Sequence, residues 1–320
     1  MTCQFLCAVL LMLTTVMQTY GQPPTKLVQV CVKPNEYEFY SVLMADEAVQ
    51  QGSFVRYREE LRLSDEIAVL VTGRYEAGTK VGEWRTYWPG RPFNRLQSSG
   101  SYRTGQRDGQ WTYYSSPKKG EANWKIPVGK SISQQVLFEV QDTIALVQAR
   151  GQYRAGSKVG TWKYYDRQKK LVQAVSEPGR RLTYWERRGA APASGEEVAN
   201  NHPLLYLGGD NELRIALQEL FLPWQVMEVN LKIGKMNTAV IAIAVDSLGN
   251  KTGTSLTTVA PQSPGAFEKF VLEKMAFLPG SWLPKTVNGV PTAASYRVVI
   301  EISLSEKFTG YESRVNLLGE

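Results

Sequence analysis

Residues 73–88 read GRYEAGTKVGEWRTYW, and this stretch recurs without gaps as GSYRTGQRDGQWTYYS from Gly100 and as GQYRAGSKVGTWKYYD from Gly151. The shared pattern is G-x-Y-x-x-G-x-x-x-G-x-W-x-x-[YW]. A stretch that recurs with the same internal spacing marks one structural unit that is used several times. The fold of this part of the chain therefore depends on what a single unit forms.

Each unit predicts a β-hairpin. A tyrosine ends one strand and a tryptophan opens the next, since large aromatic side chains favour a half-buried pleated surface. The two glycines between them allow positive φ where the chain reverses. The residues that define the repeats are Gly73, Tyr75, Gly78, Gly82 and Trp84 in the first, Gly100, Tyr102, Gly105, Gly109 and Trp111 in the second, and Gly151, Tyr153, Gly156, Gly160 and Trp162 in the third.

The flanking residues extend the hairpins into a sheet. Apolar residues stand at alternate positions in residues 67–71 and 145–149, which predicts a strand running into the first and third repeats. Gln141–Asp142 and Pro178–Gly179 predict tight turns between further strands. We therefore predict one continuous, meandering antiparallel sheet over residues 52–190.

These units resemble the bacterial variant of MORN repeats, which are stacked β-hairpins with glycines and aromatic residues in the same places. The three copies start 27 and then 51 residues apart, so a regular array is not expected. The resemblance implies a scaffold and, as in some members of that family, binding to anionic lipid. Because stacked repeats must bury one face, we interpret the aromatic residues as packing of the sheet rather than as a ligand platform.

One motif in the repeats imitates a phosphate-binding loop. Gly73, Gly78, Thr79 and Lys80 nearly match such a loop, and residues 151–158 repeat the match. The lysine follows the hydroxyl residue instead of preceding it, and an aromatic strand stands where the loop requires a helix. We therefore interpret the glycines as architecture.

The residues after 202 have a different pattern. Helical spacing of apolar residues predicts one helix between Gly208 and Pro223 and a second over 267–275. Alternation predicts a strand up to Val245, a turn over 246–250 and a returning strand over 251–259. Residues 282–304 predict a hairpin that turns at 288–289 and ends in a long, strongly alternating strand. The predicted fold class is mainly β plus α+β, with the meander followed by a two-layer α+β domain.

This second part resembles the C-terminal domain of TonB, on YLGG at 206–209, VIAIAVDSLG at 240–249 and WLPKTVNGVP at 282–291. In that family the last strand pairs with an extended segment of an outer-membrane receptor, and an edge strand can accept such a segment through its unpaired backbone groups. The resemblance implies a peptide-docking edge strand formed by Ser295, Tyr296, Arg297, Val298, Val299, Ile300, Glu301 and Ile302. The expected partner is an envelope protein or a receptor peptide.

The N-terminal residues predict export. Phe5–Met17 is an uncharged apolar run followed by Thr19-x-Gly21, as in a secretory signal peptide, although no Lys or Arg stands near Met1. The alternative is that residues 5–17 remain as an anchor in the inner membrane. The predicted organisation is a signal at 1–21, a strand segment at 22–51, repeats at 52–190, a linker at 191–202, the α+β domain at 203–306 and a tail at 307–320. We expect a periplasmic or envelope-associated protein.

The composition argues against catalysis. The chain has 1 His and 3 Cys, and only Cys31 remains after cleavage of the signal, so we expect a buried strand cysteine and no disulfide. A Cys31–His202 nucleophile pair is the alternative, but neither residue stands in a recognisable local signature. His202 is expected to be exposed in the linker. Acidic residues such as Asp246 and Glu59–Glu60 are explained by turn chemistry and solvation. We predict no enzyme, no metal site and no cofactor.

The charge is concentrated in the repeats. Residues 52–190 hold 25 Lys and Arg against 13 Asp and Glu, whereas the rest of the chain is mildly acidic. This basic section is either an ordinary solvated surface or a contact for anionic lipid or glycan, and no nucleic-acid partner is expected. The favoured hypothesis is a non-enzymatic exported scaffold with a peptide-docking domain. The alternative is an anchored, TonB-like energy transducer for outer-membrane transport.

Overall fold

The computed structural model describes residues 23–59, 67–88, 95–115, 146–187, 189–221, 236–257, 265–278, 281–304 and 311–319. Most of them lie in strands. Strands β1 to β12 follow one another in the order of the sequence as a long antiparallel meander. They are β1 Thr25–Lys33, β2 Glu36–Leu43, β3 Gln50–Glu59, β4 Ile67–Glu76, β5 Thr79–Tyr87, β6 Leu96–Arg103, β7 Gln106–Tyr114, β8 Val147–Arg154, β9 Ser157–Tyr165, β10 Leu171–Glu177, β11 Arg181–Trp185 and β12 Ala193–Ser194.

The rest of the described chain is mixed α and β. It contains α1 Gly195–Asn200, β13 Leu205–Tyr206, α2 Gly209–Glu219, β14 Met236–Val245, β15 Lys251–Leu256, α3 Ala266–Met275, β16 Trp282–Leu283, β17 Lys285–Val287, β18 Val290–Thr292, β19 Ala294–Leu304 and β20 Tyr311–Gly319. The largest sheet here has the order β15-β14-β19-β20, and β13 pairs with β16 and β17 with β18. The mainly-β prediction and the antiparallel meander are thereby confirmed.

The chain divides into two compact units. The first comprises residues 1–145 with 153–157, and the second comprises 146–152 with 158–320. The first unit thus holds β1 to β7 and the tip of the β8–β9 hairpin. The second holds the remainder of that hairpin, the strands β10 to β12 and all of the α and β elements that follow.

The repeats form hairpins as predicted, in β4–β5, β6–β7 and β8–β9. Gly78 and Gly82 adopt φ values of +73° and +64°, and the paired glycines of the other two repeats are also positive. A side chain at either position would be strained, because L residues rarely adopt this conformation. The predicted turn at Gln141–Asp142 lies outside the described residues, while Pro178–Gly179 does join β10 to β11.

One face of the first unit buries a small core. Val55, Tyr57, Val69, Tyr87 and Leu96 form this cluster, which residues from β2 and β7 partly cover. The phenol oxygen of Tyr57 accepts a hydrogen bond of 2.7 Å from Gln29 Nε2. Burial, followed by the charge of Glu59 and by Tyr37, raises the pKa of Tyr57 to about 12. The folded state therefore favours the neutral phenol.

Alkaline titration should destabilise this core. The folded pKa of Tyr57 is about 12 against an ordinary value of 10.0, so its contribution to stability is complete below pH 10 and is lost as the pH rises towards 12. We expect Tyr57→Phe to make the fall in the free energy of unfolding between pH 10 and 12 shallower, as measured by urea denaturation. An unchanged slope would contradict this assignment.

The α+β part has its own core. Apolar residues of α2, α3, β14 and β19 are buried together, among them Leu217, Ile241, Val271, Val298 and Ile300, each 0% exposed. The side chain of Lys251, from β15, caps the C-terminal end of α3. Its Nζ donates hydrogen bonds of 2.8, 2.9 and 2.8 Å to the carbonyls of Met275, Ala276 and Leu278. A cation at this place satisfies the terminal carbonyls and complements the helix dipole. Both predicted helices and the strands over 236–245 and 251–256 are confirmed.

Two expectations about single residues, His202 and Cys31, are wrong, and the segments expected to be a linker and a tail contain secondary structure. Residues 191–202 contain β12 and α1, and His202 is 7% exposed because its backbone pairs with Thr286 in an isolated bridge. Cys31 is exposed rather than buried, and it lies on β1, an outer strand of the sheet among the described residues. The predicted tail at 307–320 contains β20, which pairs with β19.

Candidate docking sheet and aromatic repeat face

The tryptophan of each repeat lies directly on the first glycine of that repeat. A Cβ atom added to Gly73, Gly100 or Gly151 would stand 2.2, 2.3 or 2.2 Å from an indole atom of Trp84, Trp111 or Trp162. No real Cβ contact is that short, so only glycine fits beneath the indole. These three glycines serve close packing, whereas the paired glycines of the turn serve backbone conformation.

The indoles are buried and fixed by hydrogen bonds. Trp84, Trp111 and Trp162 are 3%, 2% and 0% exposed. Their Nε1 atoms donate to the backbone oxygens of Val81, Ser101 and Gln152 at 3.2, 3.1 and 3.2 Å. A buried indole N–H needs such a partner. The rings are therefore part of the interior of the repeats.

In the first unit the repeat aromatics form one continuous row. This aromatic ladder consists of Tyr75, Trp84, Tyr102, Trp111 and Tyr153, with successive ring centroids 5.2, 5.7, 5.4 and 5.8 Å apart. Every contact is edge-to-face, the arrangement that the aromatic quadrupole favours. The contacts of Trp84 with Tyr102 and of Trp111 with Tyr153 each join one repeat to the next, so the ladder packs the hairpins against one another.

A basic residue covers the indole in each repeat. Lys80 Nζ lies 4.3 Å from the ring centroid of Trp84, the Arg107 guanidinium carbon 4.8 Å from that of Trp111, and Lys158 Nζ 4.3 Å from that of Trp162. All three stand midway between the paired glycines of the turn. Their role as cation–π partners was not foreseen from the sequence, although the repeated basic residue at this position was a visible signal. The lysines of the motif that imitates a phosphate-binding loop, Lys80 and Lys158, are therefore explained by their contacts with the indoles.

Arg107 also joins two tyrosines. Its Nη1 donates hydrogen bonds of 3.1 Å to Tyr113 Oη and 3.3 Å to Tyr153 Oη, and the two phenol oxygens are 3.1 Å apart. Burial, and then the hydrogen bond with Tyr153, raises the pKa of Tyr113. The phenol of Tyr113 therefore remains neutral at physiological pH. The hydrogen bonds among Arg107, Tyr113 and Tyr153 hold these three side chains in place.

The predicted docking strand lies inside its sheet. β19 pairs with β14 on one side, where Val298 faces Ile241, and with β20 on the other, where Val298 faces Leu317. Residues 297–302 therefore have a paired strand on both sides, whereas Ser295 and Tyr296 pair with β14 alone, and the edge-strand prediction is corrected for 297–302. Within it, Tyr296, Val298, Ile300 and Ile302 point into the core, Ser295 and Arg297 are exposed, and Val299 and Glu301 are half-buried.

The strand β20 contributes little to the core on which it lies. Among its described side chains, Val315 is 4% exposed and Leu317 packs partly against the core, whereas Leu318 on the opposite face is 51% exposed. β19 in contrast buries apolar side chains at every second position from 296 to 302. Of the β20 side chains that the structure describes, those of residues 314–319, Val315 and Leu317 are the ones that pack against the core.

Polar side chains fix the last meander strands to the α+β elements within the second unit. Gln173 on β10 is 0% exposed, its Nε2 donates to Tyr206 O at 3.0 Å, and its Oε1 accepts from Gly208 N at 2.9 Å. Gln148 Nε2 donates to Glu212 Oε2 at 2.6 Å. The guanidinium of Arg180 donates to the backbone oxygens of Leu248 and Trp282. The α+β elements are thus held on the meander by direct contacts.

Comparison of the chain with protein-family models, with curated proteins and with solved structures finds no match. Among the residues that the structure describes, no helix is both long enough and apolar enough to cross a membrane. The same part of the chain contains no group of three or more His, Cys, Asp or Glu side chains placed to hold a metal ion. The predicted signal or anchor over residues 5–17 lies outside the described residues.

Proposed function

We propose that this chain is a non-enzymatic, exported envelope protein whose repeats form a scaffold and whose α+β part docks an extended peptide of an envelope partner by β-augmentation. The observation that carries the proposal is the pairing of β19 with β20, because it gives β19 an extended antiparallel neighbour on the side away from β14. The partner peptide takes the place of β20. The sequence resemblance to the TonB C-terminal domain supports the same kind of docking.

A partner peptide can replace β20 only if the free energy of its pairing with β19 is close to the free energy with which β20 pairs there. A peptide pairing with β19 would restore the same backbone hydrogen bonds, and within the described part of β20 it would replace the apolar side chains of Val315 and Leu317. Backbone pairing supplies affinity in this mode of recognition, and side chains at alternate positions supply specificity. In this proposal β20 occupies the docking site in the free protein. A partner segment with apolar side chains at the equivalent positions displaces it.

Weakening β20 should open the docking site. Leu317→Asp removes about 2 kcal/mol of apolar burial from β20, which corresponds to roughly 30-fold tighter apparent binding of a competing peptide. The probe is a fluorescent peptide that copies residues 311–318, and its anisotropy on titration with the full chain gives the affinity. A proline at Val298 is unsuitable, because β19 is interior and the change would test folding instead.

The matched control is Leu318→Asp. Leu318 is the neighbouring leucine and points away from the core, so this variant should bind the probe as the unaltered chain does. A scrambled peptide should bind to none of the three proteins. If the Leu317→Asp variant is folded and still fails to bind the probe, docking along β19 is refuted.

A further inference from the structure

The second unit contains a cleft of about 440 Å³ that the sequence did not reveal. Its walls come from the turn between β10 and β11, the end of α1, the turn between β14 and β15, and the β17–β18 hairpin. The polar lining consists of Arg180, Arg181, Asn200, His202, Ser247 and Thr286. Its volume lies within the range of small-molecule sites, which is about 300–1,000 Å³.

The lining carries positive charge without a carboxylate. Both arginines line the cleft, and no acidic side chain does so among the described residues. The guanidinium of Arg180 is oriented by the backbone oxygens of Leu248 and Trp282, and its charge also interacts with the carboxylate of Glu177, which lies outside the lining. Among the residues that the structure describes, Arg181 has Glu196, at 3.8 Å, as its ion-pair partner, and that side chain is 89% exposed. A pair of this kind holds a charge weakly.

The remaining walls are apolar. Pro178, Pro284 and Pro291 line the cleft together with Leu248, which is 71% exposed. Next to this lining in the β17–β18 hairpin, Val287 and Val290 are 42% and 60% exposed. Apolar walls with a few convergent polar groups are the usual construction of a ligand site. The ligand should therefore combine an apolar body with one anionic group.

The only histidine of the chain stands in the wall. His202 exchanges backbone hydrogen bonds of 3.1 and 2.9 Å with Thr286, and its Nδ1 lies 2.9 Å from the oxygen of Pro203. These contacts hold the imidazole at a fixed place beside the cleft. Since no other imidazole exists in the sequence, its NMR signals report on this cleft alone.

We infer that the cleft binds a small organic carboxylate, with the carboxylate at the arginines and the apolar body against the prolines. A guanidinium matches a carboxylate in a planar, two-bonded pair. Free inorganic phosphate could also pair with a guanidinium, but it has no apolar body to cover Pro178, Pro284 and Leu248, so the lining favours an organic carboxylate. This site is separate from the docking strand, so it does not depend on the proposed function.

The test is a titration of the full chain followed by the imidazole signals of His202. Hexanoate should shift these signals saturably, acetate should need at least tenfold higher concentrations, and inorganic phosphate at equal ionic strength should not saturate. Arg181→Gln should weaken hexanoate binding at least tenfold. Arg154→Gln, which removes an exposed arginine outside the cleft, should leave it unchanged.

Three results would overturn the inference. They are the absence of a saturable shift with hexanoate, an affinity that Arg181→Gln does not alter, and saturation by phosphate at concentrations at which hexanoate has no effect. Far-ultraviolet circular dichroism of the Arg181→Gln variant separates loss of binding from loss of fold. A retained spectrum with weakened hexanoate binding supports the site.

Discussion

Alanine at Gly100 is expected to lower the free energy of unfolding by about 3 kcal/mol, because overpacking of a close-packed interior costs that much. The added methyl group would stand 2.3 Å from the indole of Trp111. That ring cannot easily move aside, since Tyr102 packs against its edge, Arg107 covers its face and Ser101 O accepts its N–H. Urea denaturation of the purified chain measures the loss.

Two comparisons make this prediction specific. Gly253 is also a strand glycine, but a Cβ atom there would meet nothing within 4 Å, so Gly253→Ala should change stability by no more than about 0.5 kcal/mol. In a Trp111→Ala background the clash is absent, and Gly100→Ala should then cost little. Such non-additivity is expected of residues in direct contact. If Gly100→Ala lowers the free energy of unfolding equally with Trp111 and with Ala at position 111, Gly100 is not required for packing of the indole.

The role of Gly100 shows what the sequence could and could not predict. The hairpins follow from local signals, because aromatic strands and turn glycines act within one repeat. Positive φ at Gly78 and Gly82 was foreseen for the same reason. The contact between Gly100 and Trp111 joins two strands, so it becomes visible only when the register is known. The contact of Arg107 with the ring of Trp111 likewise becomes visible only in the folded structure.

The docking strand was misplaced for a related reason. Alternation of apolar residues correctly predicted β19, but a strand's own sequence does not say how many neighbours it has. The stretch YESRVNLLG, which lies in the expected tail, has only a short alternation with apolar residues at 315 and 317, and this is a weak signal for a strand. The omission of that one strand turned an interior strand into a predicted edge. The cleft was missed because its walls come from four separate segments.

Replacing Gln173 with leucine is the second change with a large expected effect. Gln173 is fully buried, and its amide satisfies the oxygen of Tyr206 and the N–H of Gly208, which are themselves buried. Leucine has similar volume but no polar atoms, so Tyr206 O and Gly208 N would each lose the hydrogen bond that this amide makes. Each such loss costs about 1–3 kcal/mol, and we expect a total of about 2–6 kcal/mol by urea denaturation.

The location at which hydrogen exchange accelerates distinguishes the loss of these hydrogen bonds from a general loss of packing. Hydrogen exchange should accelerate first at Leu205–Gly208, where the amide of Gln173 holds the segment that leads into α2, and only later in the aromatic ladder. Gln152→Leu is the control, because that side chain is exposed and only its backbone oxygen accepts the bond from Trp162. It should leave both stability and exchange nearly unchanged. If Gln173→Leu behaves in the same way, the attachment of the α+β elements to the meander depends on apolar packing instead of on this buried amide.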